Sequence, residues 1–167
     1  ESELNANSGL EHGSISVGVS EIALNIYFLE KLKYFHKNYP HIRLKIYNHS
    51  TPQAVRSVKN GEIDFAVVST PINVEPPLKE IQLQPFNDIL VGGNTFTSLK
   101  DKVLSLNDLQ NYPLICLAKE TTTYKFYHQL FISNGVELNP DIEVATTDQI
   151  LQLVKSELGL AFLPETM

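Results

Sequence analysis

Cysteine is almost missing from this chain, and tryptophan is missing altogether: Cys116 is the one thiol. A single thiol forms no internal disulfide, so nothing in the sequence calls for an oxidising compartment, and a cytoplasmic location is expected. Cys116 lies inside the apolar run Pro113–Ala118 with no activating cation in view, which reads as a structural residue and not a nucleophile. Long apolar runs are also lacking. None approaches the ~20 residues that a helix needs to cross a bilayer, and no secretory leader is visible. A basic patch is missing too. The formal net charge is −6 and the lysines and arginines are scattered, so direct nucleic-acid contact by these residues is not expected.

The chemistry of catalysis is equally thin. His12, His36, His41, His49 and His128 neither pair at i, i+4 nor stand beside a cysteine or carboxylate at ligand spacing. Neither a metal site nor a cofactor is expected. There is no G-x-S-x-G elbow, no H-E-x-x-H and no P-loop, and the pair Gly92-Gly93 lacks the third glycine of a dinucleotide fingerprint. Glu120 and Asp148 could serve as acid or base, but carboxylates at these places read first as complements to helix N-terminal dipoles. Asp64 reads as a turn or strand-start contact. The chain is therefore not expected to be an enzyme.

What is present is an ordinary globular composition, 43% hydrophobic and 19% charged over 167 residues, enough for one domain or two small lobes. Within it, four apolar, strand-like runs stop at hydroxyl residues. Ile15–Val19 ends at Ser20. Ile63–Val68 ends at Ser69 and Thr70. Pro113–Ala118 is followed closely by Thr121, Thr122 and Thr123. Ile142–Ala145 ends at Thr146 and Thr147. Three of the four lead straight into helical patterns. Hydroxyls and free backbone N–H groups at strand C-termini and helix N-termini form the usual ligand-binding edge of an open α/β sheet, and they favour anions. Any one of these residues serves readily as an N-cap. Capping and ligand contact are compatible, because a capping hydroxyl adjoins the free amides.

The order of elements supports an α/β fold. Residues 1–12 are polar and aperiodic, and read as a tail or linker. After the strand Ile15–Ser20, a helix is expected with Ile22, Ile26, Leu29, Leu32 and Phe35 facing inward, ending near Tyr39-Pro40. A strand around Leu44 and Ile46 follows, then a helix with Thr51 as N-cap, Pro52 at N1, Val55 and Val58 inward and Gly61 as C-terminal cap. Ile63–Val68 reads as a strand buried on both faces. This βαβαβ order implies a parallel sheet with right-handed crossovers. Leu78–Phe86 and Asp88–Gly92 read as further strands, and Ser105-x-x-Asp108 as the start of a short helix. The second half repeats the alternation: strand Pro113–Ala118; helix Thr123–Asn134 with Phe126, Tyr127, Leu130 and Phe131 inward and Gly135 capping; strand Ile142–Thr146; a helix capped by Thr147 or Asp148, carrying Ile150, Leu151, Val154 and Leu158 and ended by Gly159; and a last strand from Leu160 to Leu163. Two lobes, 13–87 and 88–167, with a ligand cleft between them are expected.

Five segments carry a family resemblance. HGSISVGVSEIA at 12–23 resembles the first strand and turn of the regulatory domain of LysR-type transcriptional regulators. LEKLKYFHKNYPHIRLKI at 29–46 is similar to their F-x-x-x-YP-x-I/V-x-L signature. NGEIDFAVVSTP at 60–71 is similar to their x-G-E-L-D-x-A-I run, LSLNDLQNYPLI at 104–115 to L-x-DL-x-x-x-P-L-I, and LVKSELGLAFLPETM at 153–167 to V-x-x-G-L-G-I-A-x-L-P. All five occur in order and span nearly the whole chain.

This resemblance implies the effector-binding domain, a two-lobed α/β fold of the type 2 periplasmic-binding-protein kind. It implies a small effector, often an anion or aromatic acid, held between the lobes at positions matching Ser20, Ser69, Thr121 and Thr146 with their neighbours Glu21, Ile22, Thr70, Thr122, Thr123 and Thr147. It places DNA contact in an upstream winged helix-turn-helix domain absent from this sequence, and implies a homodimer or homotetramer of the full-length protein with no membrane partner. Ile22 stands where the family often has a second hydroxyl, which points to a ligand with an apolar part. The family also continues past the Leu-Pro motif with strands and a helix that return to the first lobe, so the chain is expected to be truncated after Met167. A transport solute-binding protein of the same fold is the competing reading. It needs an export signal and would lack the YP and GEID patterns.

Overall fold

Seven residues of β1 (Gly13–Val19) form the centre of the first sheet. The computed structural model of the chain describes residues 13–167; the expected linker, 1–12, lies outside the described residues. The chain divides into two compact units, one running to Gln84 and the other from Pro85 to Met167.

In the first unit β1 pairs in parallel with β2 (Ile42–Asn48) on one side and β3 (Phe65–Val67) on the other, giving the order β2-β1-β3. Parallel pairing follows from the connections, since each pair of strands is joined through a helix. The first helix, α1, covers 21–38 in three stretches: an α-turn at Glu21–Ala23, a π segment at Leu24–Phe28 and an α-helix at Leu29–Asn38. The second, α2 (Thr51–Lys59), leads into a turn where Gly61 takes φ +71, a left-handed conformation suited to glycine. Val17, Val19, Ala23, Phe28 and Val67 make the core of this unit.

Four expectations for this unit need correction. The inward stripe of α1 holds only in part: Ile22 is buried as expected, together with Ala23 and Phe28, but Ile26 is half-buried and Leu29 is 48% exposed. The π segment adds a residue to the turn and shifts the register of everything after it. Thr51 is not the N-cap of α2. Ser50 has the extended cap conformation, and the Thr51 hydroxyl donates instead to the Ser69 carbonyl at 3.3 Å. The residues α2 buries are Thr51, Ala54 and Ser57, with Val55 and Val58 only half-buried, because Gly18 of β1 leaves room for Ala54 to approach. Finally, β3 is an edge strand of this sheet, so Phe65 stays 41% exposed and is not covered on both faces.

The second unit contains β4 (Asp88–Val91), 3₁₀ turns at Asn94–Leu99 and Asp108–Asn111, β5 (Ile115–Leu117), α3 (Thr122–Ser133), β6 (Ile142–Val144), α4 (Thr147–Lys155) and β7 (Ala161–Pro164). β5 and β6 are parallel, β4 and β7 antiparallel, and a single bridge between Leu114 and Leu160 joins the two pairs. At that junction Gly159 is required by close approach: a Cβ would lie 2.6 Å from the Pro113 carbonyl oxygen. Gly159 is thus not the helix terminator. α4 ends at Lys155, and Glu157 takes the left-handed φ of 65°. Leu158 follows and is 47% exposed.

α3 buries Tyr124, Tyr127 and Phe131, whereas Phe126 and Leu130 point outward, at 47% and 37% exposure. Tyr124, Tyr127 and Phe131 recur at three and four residues, one face of a regular helix. Phe126 and Leu130 form a second stripe that periodicity alone does not rank below the first. The expected strand Leu78–Phe86 is irregular chain with Ile81 at 80% and Leu83 at 51% exposure. Its alternation suits a half-buried strand, but no described strand pairs with it. The Ser105 amide and hydroxyl both donate to Asp108, as the spacing suggests, although the turn they brace is 3₁₀ and begins at Asp108.

Candidate functional site

In the first unit the strand ends bring the predicted hydroxyls together. β1 and β3 are parallel neighbours, so Ser20 and Ser69 emerge at the same edge, and the Ser20 amide donates to the Val67 carbonyl at 3.1 Å. Ser20 is buried and is the N-cap of α1, its Oγ accepting from the Ala23 amide at 3.4 Å. Glu21 opens the first turn, where a carboxylate suits the positive helix end. Ile22 is buried at 5% exposure, so its side chain is part of the interior behind Ser20. Ser69 is buried at 9% exposure. Its carbonyl accepts from Thr51, while its hydroxyl has no hydrogen-bond partner among the described residues. Thr70 is exposed and precedes Pro71 through a cis peptide.

In the second unit β5 and β6 are parallel neighbours, and the Ala118 amide donates to the Val144 carbonyl at 3.0 Å. Thr121 and Thr146 therefore leave the sheet at the same edge, and each caps a helix. The Thr121 Oγ accepts from the Tyr124 amide at 3.1 Å and donates to the Ala118 carbonyl at 2.7 Å. Its bonding capacity toward a ligand is largely used. Thr122 and Thr123 are half-buried, and their hydroxyls have no partner among the described residues. Their amides belong to the first turn of α3, where no carbonyl lies one turn back to accept them. Thr146, and neither Thr147 nor Asp148, is the N-cap of α4: its Oγ accepts from the Gln149 amide at 3.3 Å, and Gln149 Oε1 accepts from the Thr146 amide at 3.2 Å. This capping box decides the position, because Gln149 stands three residues after Thr146 and not after Thr147. Thr147 is buried at 2% exposure.

Two neighbours were missed by sequence reasoning. Thr51 reaches across to Ser69, a contact that no spacing announces. His49, just after β2, stacks on Tyr47 with ring centroids 5.7 Å apart, and its buried Nδ1 has no hydrogen-bond partner among the described residues. Among the described residues no group of acidic, histidine or cysteine side chains could hold a metal ion. Burial pushes the Cys116 thiol up to about 11, with Glu143 adding to the effect, so the thiolate is scarce at neutral pH. Asp64, as expected of a strand-start contact, accepts from Ser16 in β1. No described helix is long and apolar enough to cross a membrane.

Two α/β units, each with hydroxyls gathered at the C-terminal edge of parallel strands, define a small-molecule-binding architecture. The chain belongs to the LysR substrate-binding domain family, whose model matches residues 8–167. It is an α/β effector-binding domain of a LysR-type regulator, of the type 2 periplasmic-binding-protein kind. Curated relatives named probable RuBisCO transcriptional regulators include one from Cyanidioschyzon merolae, 29% identical over 163 residues, and one from Thalassiosira pseudonana, 28% identical over 161. The matches cover 92% and 91% of this chain and 52% of each relative, so the chain spans about half their length. These relatives are named as transcriptional regulators and not as enzymes.

Solved structures share the fold. The effector-binding domain of QuiR in complex with shikimate superposes with a TM-score of 0.79 at 19% identity, covering 92% of this chain and 74% of that one. The BenM effector-binding domain with benzoate gives 0.76 at 20% identity, covering 92% and 71%. The Synechocystis PCC6803 CcmR regulatory domain in complex with 2-PG gives 0.75 at 20% identity, covering 93% and 74%.

Proposed function

We propose that this chain senses a small effector bearing an anionic group, and thereby controls transcription by a longer protein. In that protein DNA is contacted only through a winged helix-turn-helix segment outside this sequence. The whole regulator works in the cytoplasm as a homodimer or homotetramer and performs no catalysis. The relatives' names and the family membership support this reading, as does the acidic charge of the chain.

The observation that carries the ligand chemistry is the set of uncommitted donors at strand ends. The hydroxyls of Ser69, Thr122 and Thr123 have no partner among the described residues. In the second unit Thr122 and Thr123, with the first-turn amides of α3, offer neutral donors to an anion; in the first unit Ser69 offers one at its own strand end. Ser20, Glu21, Ile22 and Thr70 in the first unit, and Thr121, Thr146 and Thr147 in the second, complete the effector-binding set. A ligand that prefers one conformation of the domain shifts its population, and the oligomer passes that bias to the DNA-binding segments.

The test is a thermal-shift and calorimetric screen with shikimate, benzoate, 2-PG and inorganic sulfate. A binder raises the melting temperature as its concentration exceeds Kd. Failure of every small carboxylate and inorganic anion to bind would reject the anionic effector, and steady turnover of a bound compound would make the protein an enzyme.

A further inference from the structure

The π segment of α1 sits one turn from Ser20, between two packing demands that a regular helix does not meet together. On the C-terminal side, Leu24, Phe28, Leu32 and Phe35 recur at four, four and three residues, which is a regular α-helical stripe. Phe28 is buried in the core of the first unit, and Leu24 and Leu32 pack against it. On the N-terminal side, Ser20 must cap the helix at the end of β1, and that places Ile22 and Ala23 in the interior. Ala23 and Phe28, both in that core, are five residues apart. The extra residue is absorbed by the bond from the Leu29 amide to the Leu24 carbonyl, a five-residue step. The first turn is also lightly held: the Ser20 Oγ–Ala23 amide distance of 3.4 Å is longer than the 3.1 Å of the matching bond at Thr121.

We propose that this segment is a register joint, through which the turn Ser20–Ala23 slides by one residue against a fixed Phe28–Phe35 stripe. In the slid register the whole helix is α-helical. The turn rotates by about 100° and moves by about 1.5 Å, Leu24 replaces Ala23 in the core, and Ile22 leaves the interior. Leucine in a space shaped for alanine is overpacked, which makes the slid register the minor one. As a statement about regulation this rests on the proposed function. An effector bonded to Ser20 and the first-turn amides selects one register, and the joint converts occupancy into a change of helix position.

The joint is tested on the full chain without any ligand, by ¹⁵N relaxation-dispersion NMR, which reads the microsecond–millisecond range of helix register shifts. The expected result is one common exchange process at the amides of 21–28, with flat profiles over 30–38. Deleting Asn25 removes the extra residue, satisfies both demands with a regular helix, and abolishes the exchange. Leu24→Ala relieves the overpacking and raises the minor population several-fold. Flat profiles at 21–28 in both the native chain and Leu24→Ala, persistence of exchange after the deletion, or failure of the deleted chain to fold would each overturn the proposal. Because no ligand enters, a negative result leaves the effector reading intact, and failure of the effector screen leaves the register joint intact.

Discussion

Ser16 gives both its amide and its hydroxyl to one oxygen of Asp64, at 2.7 and 2.8 Å, and the Asp64 amide returns a bond to the Ser16 carbonyl at 2.9 Å. This exchange fastens the chain entering β3 to the middle of β1. The two bonds to the charged form hold the Asp64 carboxyl below its usual range. A lowered folded-state pKa contributes stability that is present above the unfolded value, near 3.9 for aspartate, and is lost as pH falls through the folded value. Part of the acid unfolding of this protein is therefore expected to follow Asp64. In Asp64→Asn the melting temperature at neutral pH is lower, and its fall between about pH 4 and pH 2 is shallower than in the native chain. Equal slopes for the two proteins, in scans at each pH, would refute the assignment.

Tyr127 and Asp88 predict a different kind of loss. The Tyr127 hydroxyl donates to Asp88 Oδ2, while the buried Oδ1 has no hydrogen-bond partner among the described residues and the tyrosine ring stacks on Phe162 at 4.7 Å. Burial and the neighbouring carboxylate together push the phenol pKa far up, so the hydroxyl stays protonated as the donor. Tyr127→Phe keeps the stacking and removes the one donor. The expected cost is about 1–3 kcal/mol, the penalty of a buried acceptor left unpaired, measured as a lower urea midpoint at unchanged m-value. The Asp88→Asn change in the Tyr127→Phe background is expected to cost less than in the native chain, because the pair is coupled. Additive costs would show the contact to be energetically idle.

Two glycines are expected to differ under the same substitution. Gly135 has φ +70 and open space around it, so Gly135→Ala carries only backbone strain, about 1–2 kcal/mol. At Gly159 an added methyl meets the Pro113 carbonyl at 2.6 Å and threatens the Leu160 amide–Pro113 carbonyl bond of 2.8 Å. Gly159→Ala is expected to destabilise more than Gly135→Ala in chemical denaturation. The reverse order would mean that the β5–β7 junction yields easily.

The three threonines opening α3 are expected to separate into two roles. Thr121→Ala removes a cap and costs about 0.5–2 kcal/mol of stability. Thr122→Ala and Thr123→Ala leave stability nearly unchanged but weaken binding of whichever screened anion is found. Each lost bond to a charged group is worth about 1.5–3 kcal/mol, roughly tenfold or more in Kd. Thr121→Ala combined with Thr123→Ala is expected to show both effects. Unchanged affinity in the double variant, measured by calorimetry, would remove α3 from the effector site.

Much of the fold was legible in the residues. Apolar runs ending at Ser20, Ser69, Thr121 and Thr146 located four strand ends, and glycines 61 and 135 located two left-handed turns. The register inside helices was less legible. Leu29 fits the expected stripe of α1 by spacing, and Phe126 fits that of α3, yet both face outward. Periodicity reports that a helix has an apolar face but not which of two adjacent apolar faces meets the sheet.

Chain order and local chemistry, which the sequence carries by itself, determined the α/β class, the parallel pairing forced by helical crossovers, and the hydroxyls at strand ends. Only the tertiary structure decided which hydroxyls are spent. Thr121 is consumed by its own cap and by Ala118, whereas Thr122 and Thr123, one and two residues on, are not. It also decided that Thr51 serves Ser69 in place of its own helix and that α1 widens at Leu24–Phe28. These outcomes depend on distances between segments far apart in the chain, where packing against the sheet overrides the preference of any single residue.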